Sequence, residues 1–87
     1  MGDAGLMPLD HKYIGEIRKI ETGELLDPEE FVIFRVKDLA LSNTLRHYWE
    51  TCRALGSPLE HLDAILALRE RVQVWQQEHP EQCKVPD

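Results

Sequence analysis

The stretch LRHYWETCRALGSPLEHLDA, Leu45 to Ala64, decides the fold, because a glycine at its centre separates two different helical patterns. On the N-terminal side, Leu41, Leu45, Tyr48, Cys52 and Leu55 recur at spacings of four and three, a helical stripe that no strand can produce. Gly56 then supplies the left-handed residue that ends a helix. Directly after it, Ser57 at N-cap, Pro58 at N1 and Glu60 at N3 spell a capping box with its preferred proline. The second stripe, His61, Ile65, Leu68, Val72 and Trp75, is widened by Leu62 and Leu66 and runs to about Glu78, where His79-Pro80 stops it. The first helix opens after Asp38, an N-cap residue type. Two stripes joined by so short a connection predict an antiparallel helical hairpin.

Upstream of the hairpin the pattern changes. YIGEIRKIETGELL, starting at Tyr13, reads as a strand, a tight turn at Thr22-Gly23 and a returning strand, with Gly15 marking a bulge. Pro28 interrupts, and FVIFRVK, Phe31 to Lys37, resumes as strand. The expectation is an α+β fold in ββαα order. An N-terminal β-hairpin of two or three strands packs on the helical hairpin, within one domain at 11–79 flanked by tails at 1–10 and 80–87. In FVIFRVK, Val32, Phe34 and Val36 share one face, and Phe31 and Ile33 share the other with Arg35 and Lys37. So small a sheet leaves one face uncovered, so either a partner strand or the tail bearing Leu6, Met7 and Leu9 closes it. Phe31, Ile33 and Arg35 are therefore interface candidates.

Size points the same way. An 87-residue chain is one domain at most, and a core of this size supplies only ~3–5 kcal/mol, so a second copy is an expected partner. Hydrophobic residues make up 43% of the chain, too many for the disordered class. Sixteen acids against ten Lys and Arg leave a net charge of −6, which disfavours nucleic acid and anionic membrane surfaces as partners. The N-terminus lacks the basic and apolar regions of a secretory signal, and no apolar run is long enough to span a bilayer; a cytoplasmic location is expected. Cys52 and Cys83 are the only cysteines and are expected as free thiols.

Chemistry is sparse in the sequence. A hairpin turning at Gly56-Ser57 brings Cys52 near His61, and an imidazole beside a thiol makes either a nucleophile or half of a metal site. A third ligand is hard to find: His47 lies about 120° round its helix from Cys52, and Cys83 belongs to the tail. Buried cysteine and stripe histidine are ordinarily packing residues. Trp49 points about 100° away from Tyr48 and either packs under the sheet or anchors an interface. Glu21, Glu24, Asp27, Glu29 and Glu30 crowd one loop without a base, but the grammar of a calcium loop is absent. Nucleophile elbows, phosphate loops, CxxC and HExxH are missing, so neither an enzyme nor a cofactor is expected.

From Phe31 onward, the order strand, helix, glycine turn, capped helix resembles that of ribbon-helix-helix DNA-binding proteins. The resemblance implies a dimer whose FVIFRVK strands pair and present Arg35 and Lys37 to the major groove. It departs from that family in the apolar Phe31 and Ile33, in a first helix one turn too long, and in nine acids against five bases over residues 1–38. The leading expectation is a non-catalytic protein-interaction or small regulatory module, self-associating through its sheet. A ribbon-type DNA regulator is the alternative.

Overall fold

The structure is a computed structural model, described here over residues 7–86. The chain divides into two compact units, one ending at Ile33 and the other beginning at Phe34. The second unit contains helix α1, Leu41–Leu55, and helix α2, Leu59–Glu78, which pack against each other as a helical hairpin.

The turn between them is built by glycine. Gly56 sits at φ 86°, and its N–H donates to the Arg53 carbonyl at 3.1 Å while the Ser57 N–H reaches back to the Cys52 carbonyl at 2.9 Å. This pair of bonds is the Schellman termination, which satisfies carbonyls that the helix end leaves open. It also corrects the predicted capping box. With its N–H committed to α1, Ser57 stays outside α2. Pro58, at ψ 153°, is the N-cap, its carbonyl accepts from His61 and Leu62, and no side chain caps the helix. At the other end of α1 the N-cap is Ala40 and not the expected Asp38, which stands three residues before Leu41 and accepts the Ala40 N–H on its carboxylate at 2.8 Å.

The buried hydrophobics among the described residues are Leu41 and Cys52 on α1 and Leu62, Ile65 and Val72 on α2. Trp49 packs against the cluster of Cys52, Leu62 and Ile65. The buried stripe is thus rotated from the predicted one: Tyr48 is 50% exposed, Leu55 80%, and His61 is exposed as well. At 100° per residue Cys52 lies between Tyr48 and Trp49, so hydrophobic spacing admits either neighbour as its companion. Arg69 reinforces the packing by donating from Nε to the Ser42 carbonyl at 3.0 Å.

The predicted sheet is not there. Among the described residues no strand forms, so the α+β class with a β-hairpin is replaced by a helical hairpin. In the first unit the chain reverses through Gly23, at φ 74°, but the pairing amounts to a single antiparallel bridge, Arg18 to Leu25. The bonds flanking it, Lys19 N–H to Glu24 and Leu26 N–H to Ile17, are not continued, and Asp27 and Pro28 open a 3₁₀ turn, Pro28–Glu30. Asp10 holds the unit together. One carboxylate oxygen accepts from Lys12 and Tyr13 at 2.7 and 2.9 Å, and the other accepts from Ile33 at 2.7 Å.

FVIFRVK fails as a strand because its backbone groups find other partners. Ile33 gives its N–H to Asp10. In the second unit, the Gln76 Nε2 donates to the carbonyls of both Val36 and Asp38 at 2.9 Å. Lys84 forms a parallel bridge with Asp38, its N–H on the Lys37 carbonyl and its own carbonyl accepting from Leu39. Lys84, in the segment expected as a tail, therefore pairs with the approach to α1, and of the segment 1–10 only Met7 to Asp10 fall within the described residues. Met7 and Leu9, expected to cover a sheet face, are exposed; Leu6 lies outside the described residues. No helix among the described residues is long and apolar enough to cross a membrane.

Candidate functional site

The second unit carries an open apolar groove of about 440 Å³. Leu41 and Leu45 of α1 form one wall and Leu68, Val72 and Trp75 of α2 the other, while Phe34 and Val36 close one side. Arg71 is the one charged side chain in the lining, exposed and without an ion pair among the described residues. Gln76 positions this side wall, since its two bonds fix Val36 and Asp38 against α2. Part of the wall remains open to solvent, Phe34 at 57% and Leu68 at 42%.

The apolar surface continues toward the turn. One helical turn on from Leu45 lies Tyr48, and two turns before Leu68 lies His61; their rings meet edge-on at 6.1 Å. Tyr48 and His61 therefore extend the same side of the hairpin that bears the groove. The neighbouring Cys52 thiol raises the Tyr48 phenol above its ordinary range. Cys52 itself is enclosed by Leu62 and Ile65. The expected thiol–imidazole neighbours are thus arranged with Tyr48 as the residue each of them touches.

Of the interface candidates, Phe31 and Ile33 are half-buried and Arg35 is exposed. Trp49 lies inside the hairpin contact with the Arg53 guanidinium over its ring at 5.6 Å. Its Nε1–H is enclosed and finds no acceptor among the described residues. Near the far end of α2 the Trp75 and His79 rings stack at 4.2 Å, and His79 Nδ1 lies 2.8 Å from the Trp75 carbonyl. The Cys83 thiol donates to the His79 carbonyl at 3.3 Å, and both cysteines are free. No group of three or more His, Cys, Asp or Glu suited to a metal ion occurs among the described residues.

Sequence reading placed Leu68 and Trp75 in the helix seam; the structure makes them a groove wall. Arg71 and Gln76 went unremarked. Arg71 follows Leu68 by three and precedes Trp75 by four, the spacing that puts it on their face, and that signal was available. No protein-family model, curated protein or solved structure matches the chain significantly.

Proposed function

We propose that the chain is a non-catalytic protein-interaction module whose contact surface is the apolar side of the α1–α2 hairpin, taking a partner that offers an apolar helical surface of its own. One observation carries this reading: the walls of the groove stay open to solvent, with Phe34 57% and Leu68 42% exposed, and Tyr48, on the same side, is 50% exposed. Scattered exposed leucines are ordinary, but a groove lined by apolar side chains from two helices is the usual form of a helix-binding surface.

Site-specific photocrosslinking in the cells that produce the protein tests it. Leu68→benzoylphenylalanine, in the groove, is expected to give discrete adducts. Leu66→benzoylphenylalanine is the control, because Leu66 has the same 42% exposure but lies about 200° round α2. Adducts absent from position 68, or equal from both positions, would remove the reading.

A further inference from the structure

Resting on that reading, we propose that the segment after α2, residues 79–84, is a strap that gates one end of the groove: strap and side wall open together, and the open form admits the partner. The strap touches both lips of the groove at that end. On one lip the His79 ring stacks on Trp75 at 4.2 Å. On the other, Lys84 bonds to the chain just beyond Val36, its N–H donating to the Lys37 carbonyl at 3.1 Å and its carbonyl accepting the Leu39 N–H at 3.0 Å. Trp75 and Val36 both line the groove.

The wall has little else to hold it. Among the described residues, the hydrogen bonds that reach Val36 to Leu39 from beyond Leu41 come from Gln76 and Lys84. Gln76 also ties the strap, because the Cys83 thiol donates to its carbonyl at 3.7 Å and to that of His79 at 3.3 Å. The end of α2 thus fastens wall and strap alike, so loosening either removes support from the other. Apolar packing does not cover the bridge between them: Lys84 is exposed, as are Leu39 and Val85. The cluster of Cys52, Leu62 and Ile65 lies toward the turn, at the opposite end of the hairpin. A segment with few buried contacts and solvent-exposed backbone bonds opens far below the free energy of global unfolding. When it opens, Val36 leaves Trp75 and more of the apolar seam between α1 and α2 is offered to a partner helix.

Amide hydrogen exchange of the purified full chain, in urea up to about 1 M, reads the opening. The Asp38 N–H, bonded to the Arg35 carbonyl, reports on the wall, and the Gln82 N–H, bonded to the His79 carbonyl, reports on the strap. The two are expected to share one opening equilibrium within about twofold, nearly independent of urea, while exchange at Ile65 climbs with it. Gln76→Ala removes a side chain that bonds only the wall, yet is expected to speed exchange at Gln82 at least fivefold. Lys84→Pro removes the strap's N–H to Lys37 and is expected to raise the yield of position-68 adducts several-fold at unchanged helix content. Unchanged exchange at Gln82 in Gln76→Ala overturns the gate, as does a urea slope at Gln82 equal to that at Ile65 or an adduct yield that Lys84→Pro leaves unaltered. Adducts at position 68 with strap and wall opening separately remove the gate alone. Coupled opening without adducts in either chain removes the contact surface, and the gate with it.

Discussion

Asp10 gives both carboxylate oxygens to backbone amides, and the bond to Ile33 spans twenty-three residues. Those bonds, with the Ile33 amide the strongest, hold its carboxyl below the ordinary aspartate range. Since the folded pKa is depressed, the contribution of Asp10 is whole above the unfolded pKa and is lost as pH falls through the folded one. We expect the Ile33 amide resonance to titrate with a midpoint below that of an ordinary aspartate, and Asp10→Asn to remove that titration; a midpoint at the ordinary value would deny the carboxylate its role. Tyr48 and Trp49 show how far a single residue can be read. Either neighbour of Cys52 satisfies helical spacing, and the choice between them rests on the roll of α1 against α2. That roll follows from all the contacts of the hairpin, including the Arg69 to Ser42 bond, so no local pattern contains it.

At the level of elements, the legible features were those whose cause is local. Gly56 stops α1 because a left-handed residue is needed there, and Gly56→Ala is expected to cost about 1–2 kcal/mol in urea unfolding. Strain is the whole cause, since an added Cβ meets no atom within 4 Å. The strand at Phe31 to Lys37 was misread for the opposite reason. β-Branched and aromatic residues in alternation describe a side-chain surface, whereas a strand also needs a neighbour to pair its backbone. Here the neighbours are a glutamine forty residues on and a lysine near the C-terminus. Gln76→Ala takes the side-chain donor from the Val36 carbonyl, while the Asp38 carbonyl keeps the Leu41 N–H, and is expected to cost about 1–3 kcal/mol by the same measurement. It should also loosen Val36 in the groove wall, seen as faster amide exchange over residues 36–39.

For the molecule as a whole, charge and apolar surface act in opposite directions. Two chains of −6 repel, and added salt screens that repulsion while leaving apolar contact intact. Self-association, the expectation from the small core, should if it occurs tighten several-fold between about 50 and 500 mM salt, as read by sedimentation. Contact with duplex DNA through Arg35 and Lys37 would weaken over the same range, because it depends on released counterions. Association that loosens with added salt would mean that ion pairs, rather than apolar contact, hold the copies together.

The closed turn at Gly56 and Ser57 also bears on time. It joins α1 to α2 with three residues, so the contacts of the hairpin link positions near one another in sequence, the circumstance in which chains fold in microseconds to milliseconds. If this turn is already made when the barrier is crossed, Gly56→Ala slows folding and leaves the unfolding rate nearly untouched. Stopped-flow chevrons of the two chains would show the change confined to the folding arm.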